Sequence, residues 1–179
     1  MKGDRYLHRR ILGEVCEGAR VLDIGAGMAK YHAELVRHAW VTMVDAHGPY
    51  MAERAQRYSE RAIIVIEDAL TWLPRTRTDT FDIALAIDFI EHLEVDDAIA
   101  TIADLQRVAR RVVLFIPEGT HPQTTDHHGM GGDHWQTHRS NWYATHPGLE
   151  GFTVERWPEF HAGTPGKDAG ALWCVWRKP

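Results

Sequence analysis

The segment RVLDIGAGMA at residues 20–29 restricts the fold of this chain more than any other stretch. Residues 21–24 are apolar except for one acid, which predicts a buried strand. Gly25 and Gly27 then predict a tight turn, because glycine lets the backbone pass close to a ligand without a Cβ in the way. A helix is expected to begin near Ala29 and to present its free N–H groups. This order of elements predicts a nucleotide-type site at the carboxyl edge of a parallel sheet.

The acid in this segment indicates which kind of nucleotide would fit. A dinucleotide fingerprint sets three glycines against a pyrophosphate, whereas here Asp23 precedes Gly25 by two residues and Ala29 takes the third glycine position. A carboxylate at that point would repel a phosphate but would hold a cationic amino group, directly or through water. The segment resembles motif I of the class I S-adenosylmethionine (SAM)-dependent methyltransferases, which tolerate the alanine. The resemblance implies SAM, which has an amino group and a sulfonium but no phosphate, as the cofactor.

Apolar strands and amphipathic helices alternate along the first two thirds of the chain. Residues 4–16 have helical spacing up to Gly18, and strands after the first are predicted at residues 40–45, 62–68, 81–88 and 112–116. Right-handed crossovers between such strands favour a doubly wound sheet.

The last third of the chain lacks this rhythm. Residues 118–133 show no periodicity, and Ser140 is expected to cap a short helix through Tyr143. Strands at 152–160 and 171–176, joined by a turn at 163–166, predict an antiparallel pair, which is how the sheet of the resembled family ends. We therefore expect an α/β fold with a doubly wound, mostly parallel, seven-stranded sheet and a C-terminal antiparallel hairpin, the Rossmann-like methyltransferase fold, in one domain over residues 1–179.

Acids recur where the predicted strands end. Asp45 follows the second strand, at the point where a ribose diol is bound in this type of sheet, although it would also suit a helix cap. Asp68-Ala69-Leu70 resembles the family's adenine motif, with Glu67 as an alternative acceptor for the exocyclic amine. Residues 88–93, DFIEHL, are similar to motif IV. The resemblance implies a cofactor site made of Asp23, Gly25, Ala26, Gly27, Asp45, Ala46, Asp68, Ala69 and Asp88.

Histidines are the candidate catalytic residues. A base with an ordinary pKa near 6.5 suits proton removal from a hydroxyl or an amine; His92 follows motif IV, and His134 and His138 would share a face if their segment were helical. The alternative is that Glu91-His92 caps a helix and the later histidines only line a polar loop. Residues 136–142, QTHRSNW, are similar to a segment of bacterial class I methyltransferases. Trp135 and Trp142 could flank an acceptor pocket there, or Trp142 could anchor the core.

A divalent cation is a second interpretation of the same residues. Carboxylates and imidazoles together suit such an ion, and the set available is Asp88, Glu91, His92, His134 and His138. The layout looks like that of the small-RNA 2′-O-methyltransferases, whose Glu-x-x-Glu-His run and later histidine bind a metal. The same DxxEHL run is common in methyltransferases without a metal, in which Asp88 would face SAM. We predict no metal.

Composition limits the partners. The net charge of −5 disfavours a nucleic-acid substrate without excluding a local basic patch. Cys16 and Cys174 are expected to be reduced core thiols of a cytoplasmic protein, and we expect neither an N-terminal signal segment nor a membrane span. The sequence does not indicate an oligomeric state.

The function predicted from the sequence is methyl transfer from SAM to a small or biosynthetic acceptor that the sequence does not identify, with oxygen favoured over nitrogen. Two alternatives remain open: a metal-assisted enzyme like the RNA 2′-O-methyltransferases, and a non-catalytic SAM-binding module. Asp23 and the terminal hairpin disfavour a nicotinamide-dependent oxidoreductase.

Overall fold

The structure is a computed structural model that describes residues 2–28, 31–55, 60–162, 166 and 168–179. In these residues seven strands form one sheet in the order β3-β2-β1-β4-β5-β7-β6. The strands are β1 Arg20–Ile24, β2 Trp40–Asp45, β3 Ala62–Ile66, β4 Ile83–Ile87, β5 Arg111–Pro117, β6 Thr153–Trp157 and β7 Ala171–Arg177. Strands β1 to β5 pair in parallel, and β7 runs antiparallel to both β5 and β6. The predicted fold class is confirmed.

Helices cover both faces of the sheet. They are α1 Lys2–Glu14, α2 His32–His38, α3 Gly48–Ala55, α4 Ala69–Trp72, α5 Val95–Val108 and α6 Asp133–Gln136. Leu22 of β1 and Leu114 of β5 pack in one apolar cluster with α4 and α5, whereas Val21 and Phe115 pack in a second cluster with α1, α2 and α3. Successive strand residues alternate between the clusters because strand side chains point to opposite faces in turn. Among the described residues, no helix has the length and apolar character needed to cross a membrane.

The structure corrects two helices predicted from the sequence. Helix α2 begins at His32 instead of near Ala29, and positions 29 and 30 lie outside the described residues. The helix expected from Ser140 to Tyr143 is absent from the described chain there, since Trp142 forms isolated strand-like bridges with Glu118 and Gly119 that keep its backbone extended. A single turn, α6, forms earlier instead. Part of the predicted turn at 163–166 also lies outside the described residues.

The two cysteines have different environments. Cys174 lies on β7 in the core, as expected, and burial raises the pKa of its thiol to about 12. The prediction that Cys16 is a core thiol is wrong: α1 ends at Glu14, and the turn that closes at Gly18, whose φ is +75°, leaves Cys16 exposed.

We predict that an aromatic disulfide reagent modifies one thiol per native chain. The thiolate is the reactive form, so the exposed Cys16 should react quickly while Cys174 is protected by burial and by its raised pKa. Absorbance of the released thiolate measures the number. The denatured chain should give two reactive thiols, and Cys16→Ser should give none in the native state. Rapid reaction of the native Cys16→Ser variant would contradict the position of Cys174 on β7.

Candidate functional site

The site lies where the winding of the sheet reverses. Strands β1 and β4 are adjacent and parallel, with β2 and β3 on one side and β5 on the other. In open α/β sheets the crevice at such a switch point, beyond the carboxyl ends of the strands, binds ligands. Two cavities open here. We call them the acidic cavity, of about 220 Å³, and the histidine cavity, of about 410 Å³.

The acidic cavity lies at the carboxyl ends of four strands, β1 to β4, and at the start of α5. Its lining includes Ala46, Ala69 and Phe89, and its acids are Asp45, Asp68, Asp88, Glu94 and Asp97. The histidine cavity also has Ala26 in its wall, and its imidazoles are His8, His92, His121, His127, His128, His138 and His161. Both cavities share Gly25, Gly27, Asp88, His92 and Gln136. The two spaces therefore meet at one wall.

The glycine turn is packed against the residue that follows β4 by two positions. Gly25 has φ of +66° and Gly27 has φ of +46°, a region that non-glycine residues rarely adopt. A Cβ built on Gly25 would lie 2.2 Å from Cδ2 of Phe89. Gly25 is therefore required both for its backbone conformation and for the close approach of the Phe89 ring.

Asp45 ties this turn to the start of α3. Its Oδ2 accepts the N–H of Gly27 and its Oδ1 accepts the N–H of His47, both at 2.8 Å. Burial raises the pKa of Asp45, and the two N–H donors oppose that rise. The side chain is half-buried in the wall of the acidic cavity. Asp45 can thus accept these two N–H groups and still face a ligand in the cavity.

Asp68 occupies a similar position after β3. Its Oδ1 caps α4 by accepting the N–H of Leu70 at 2.9 Å, and Asp68, Ala69 and Leu70 all line the acidic cavity. Glu67 instead forms an ion pair with Arg75. Of the two acids considered for an adenine amine, Asp68 is therefore the one that the structure places on the cavity.

Asp23 lies behind the cavity wall. Its side chain is 1% exposed; its two oxygens accept the Tyr31 hydroxyl at 3.1 and 3.3 Å, and it also pairs with His32. Burial, and then the negative charge of Asp23, hold the pKa of Tyr31 well above its ordinary value. Tyr31, which sequence reasoning missed, lines the histidine cavity. Asp23 is therefore not in the lining of either cavity, whereas Tyr31, which donates its hydroxyl to Asp23, is in the lining of the histidine cavity.

The turn after β4 brings Asp88 and His92 to the shared wall and Glu91 to the histidine cavity. Asp88 has φ of +49°, and a short 3-10 helix, Ile90–His92, follows it. Side-chain ligand atoms of Glu91, His92 and His138 all lie within 4.8 Å of one another. Burial, and then the charge of Asp88, hold the pKa of Glu91 well above its ordinary value, while burial lowers the pKa of His92 to about 4. His92 is therefore a neutral imidazole near pH 7.

Backbone contacts fix the segment 136–142 against this turn. The N–H groups of Arg139 and Ser140 donate to the carbonyl of Glu91 at 2.8 and 3.1 Å. The Arg139 guanidinium donates to the carbonyls of His92 and His134, both at 2.7 Å. Arg139, also missed at the sequence level although it lies within the quoted segment, thus determines where the loop histidines sit.

The two tryptophans have separate roles. Trp142 is fully buried in the core cluster and donates its Nε1–H to the Ser140 hydroxyl at 2.9 Å. The interpretation of Trp142 as a core anchor is therefore correct, and the interpretation that it flanks an acceptor pocket is wrong. Trp135 lines the acidic cavity. The sequence could not distinguish them, because both follow polar loop residues.

His134 and His138 do not share a helical face. Helix α6 ends at Gln136, so His138 lies beyond it. His134 lines the acidic cavity, and His138 lines the histidine cavity beside His92, with ring centroids 4.7 Å apart. The structure therefore brings His92 and His138 together and leaves His134 with Trp135.

Asp126 organises the loop that covers the histidine cavity. Its carboxylate accepts the N–H groups of His128, Met130 and Gly132 at 2.8 to 3.0 Å. Burial acts to raise the pKa of Asp126, but these donors and the nearby Tyr50 hydroxyl outweigh it and hold that pKa well below its usual range. This loop presents His127 and His128 to the cavity.

Comparison with known protein families gives one match. The sequence model of a family described as "Methyltransferase domain" matches residues 21–111, which are 91 of the 179 residues. No curated protein matches the chain.

Solved structures share the fold. The 1,6-didemethyltoxoflavin-N1-methyltransferase of Burkholderia thailandensis, crystallised with 1,6-didemethyltoxoflavin and S-adenosylhomocysteine, is 24% identical; the match covers 99% of this chain and 76% of that chain, with a TM-score of 0.66. The N-methyltransferase NodS of Bradyrhizobium japonicum is 16% identical over 99% of this chain and 97% of its own, with a TM-score of 0.67. The phosphoethanolamine N-methyltransferase 2 of Haemonchus contortus is 16% identical over 97% of this chain, which spans 52% of that protein, with a TM-score of 0.69. At these identities the likeness shows the fold alone.

We predict that Gly25→Ala lowers the free energy of unfolding more than Gly18→Ala. Both glycines have positive φ, so each alanine adds about 1–2 kcal/mol of backbone strain. Only Gly25→Ala also collides with Phe89, since nothing lies within 4 Å of a Cβ at Gly18. Urea denaturation measures the difference.

The double variant Gly25→Ala/Phe89→Ala tests the cause. Removing the ring relieves the collision, so the two losses should be less than additive. Additive losses would show that the close approach of Gly25 to Phe89 has no energetic consequence.

Proposed function

The chain belongs to the methyltransferase-domain family that matches residues 21–111, and from this premise we propose that it methylates a small acceptor held in the histidine cavity, with SAM held in the acidic cavity. When bound, SAM supplies a methyl group that its positive sulfur has already activated. The observation that carries the proposal is the wall common to both cavities, made of Gly25, Gly27, Asp88, His92 and Gln136. A donor on one side and an acceptor on the other would meet there.

The residues present fit the cofactor. Gly25 and Gly27 leave the backbone open at the carboxyl end of β1, and the half-buried Asp45 carboxylate stands beside them, where a ribose diol would donate to it. Asp68 and Leu70 border the same cavity and suit the adenine ring. Asp88 and the other acids give this cavity a negative lining, which favours a cationic sulfonium and amino group over a phosphate.

The chain's own part in the reaction is positioning and exclusion of water. When the methyl group is already activated, holding donor and acceptor in line at close approach provides much of the rate acceleration. His127 and His128 of the Asp126 loop border the histidine cavity, and Trp135 and Arg139 border the acidic cavity. The neutral imidazole of His92 lines both cavities and would therefore lie beside the acceptor.

We predict that Asp45→Asn weakens SAM binding by about 10- to 100-fold, the loss expected when a hydrogen bond to a charged group is replaced. Isothermal titration calorimetry with SAM measures the dissociation constant. The matched control is Asp96→Asn, because Asp96 is an exposed acid in the first turn of α5 whose loss should leave that constant unchanged. Equal affinity in Asp45→Asn and the unmodified chain would place SAM elsewhere.

Turnover separates an enzyme from a non-catalytic binding module. Radiolabelled SAM is incubated with pools of small alcohols, phenols and amines, and label in the acceptor fraction together with S-adenosylhomocysteine is measured. We expect transfer that Asp45→Asn reduces in proportion to its loss of SAM binding. SAM binding without transfer to any pool would support the binding module instead.

A further inference from the structure

Glu91, His92 and His138 form a cluster at the wall of the histidine cavity that the positioning role does not explain. One carboxylate and two imidazoles lie with ligand atoms within 4.8 Å of one another. We infer that this cluster binds one divalent first-row transition-metal cation, and that the methyl acceptor is a hydroxyl compound whose oxygen binds the same cation. The second half of this inference rests on the proposed function.

The Glu91 carboxylate gives the first argument. Its side chain is 2% exposed, and both of its oxygens lack a hydrogen-bond partner. Buried polar groups in native proteins almost always have a partner, and those that have none call for an explanation such as an ion. A cation in contact with the Glu91 oxygens would give both oxygens a partner and would balance the negative charge of the carboxylate.

The orientation of His92 gives the second argument. Its Nδ1 lies 3.3 Å from the carbonyl oxygen of Thr137, which can only accept, so this contact is a hydrogen bond in the tautomer that carries the proton on Nδ1. The neutral ring then has its lone pair on Nε2. Metal-binding histidines commonly donate the other ring N–H to a backbone carbonyl in this way, which fixes both tautomer and ring orientation.

The backbone gives the third argument. His138 lies next to Arg139 and Ser140, whose N–H groups both donate to the carbonyl of Glu91. The Arg139 guanidinium adds a bond to the carbonyl of His92 at 2.7 Å. The three side chains therefore come from two segments that backbone hydrogen bonds join. These bonds fix the distances between the three side chains before any ion binds. Ligand atoms on one cation lie up to about 4 Å apart at bond lengths of about 2.0–2.2 Å, so a small closing movement suffices.

This ligand set is smaller than the one considered from sequence. His134 lies in the acidic cavity, and Asp88 is not among the clustered ligands. Two imidazoles and one carboxylate leave open positions on the ion and suit first-row transition metals better than magnesium. An acceptor oxygen can therefore enter the coordination sphere.

The position of the cluster connects the ion with methyl transfer. His92 lines both cavities, so a hydroxyl oxygen bound beside it lies next to the proposed SAM site. The cation lowers the pKa of that hydroxyl, whose proton passes to water. The resulting oxygen forms an O–CH₃ bond while the S–CH₃ bond breaks, and the sulfur keeps the bonding pair. The products are the methyl ether and S-adenosylhomocysteine.

The test is cation binding by the chelator-treated full chain. Titration with Co²⁺, followed by its visible absorption and by calorimetry, should give one ion per chain. Changing a residue that only hydrogen-bonds to a metal ligand costs about 10- to 100-fold in metal affinity, so loss of a direct ligand in Glu91→Gln or His138→Gln should weaken binding by at least about 100-fold. His134→Gln is the matched control and should leave Co²⁺ affinity unchanged.

Titration of the same variants with SAM separates the two proposals. We expect Glu91→Gln and His138→Gln to bind SAM like the unmodified chain, which also shows that they fold. Absence of Co²⁺ binding in a chain that binds SAM would overturn the cation site alone. Co²⁺ affinity that is unchanged in both ligand variants would overturn it as well. Cation binding in a chain that does not bind SAM would support the metal site and overturn the link to methyl transfer.

Discussion

The parallel pairing of β1 with β4 is the constraint on which the rest of the site depends. It aligns Val21 with Ile83 and Asp23 with Leu85, so both strands end together and their following turns must occupy the same space. Only glycine at position 25 allows this, since any Cβ there would enter the Phe89 ring. The two cavities and their shared wall follow from that single close contact at the switch point of the sheet.

An irregular segment holds His138 against the turn that follows β4. Residues 136–142 have almost no secondary structure, yet Trp142 is buried in the core and the backbone of residues 139 and 140 is bonded to Glu91. Side-chain anchors at one end and backbone bonds in the middle leave His138 few positions. Loops carry function well when a rigid scaffold positions them, and here the scaffold is the turn that follows β4.

The fold was predictable because hydrophobic periodicity is a local property. Strands β4 and β5 are continuous apolar runs in the sequence, and they are buried on both faces as such runs predict. The acids after β2 and β3 could be placed for the same reason, since parallel strands end at one edge. Features that depend on tertiary packing could not be predicted. They include the hydrogen bond from Tyr31 to Asp23, the hydrogen bond from Arg139 to the carbonyl of His92, and the exposure of Cys16.

Two carboxylates of the site show how environment divides their roles. Asp45 accepts backbone N–H groups through both oxygens, so the protein itself stabilises its charge and a ligand hydroxyl adds to an arrangement that is already satisfied. Glu91 is more deeply buried and receives no such donor. A buried carboxylate without donors keeps its proton or takes a cation. The imidazoles of His92 and His138 beside it are neutral ligands for the proposed cation, and the Glu91 carboxylate would supply the negative charge that balances it.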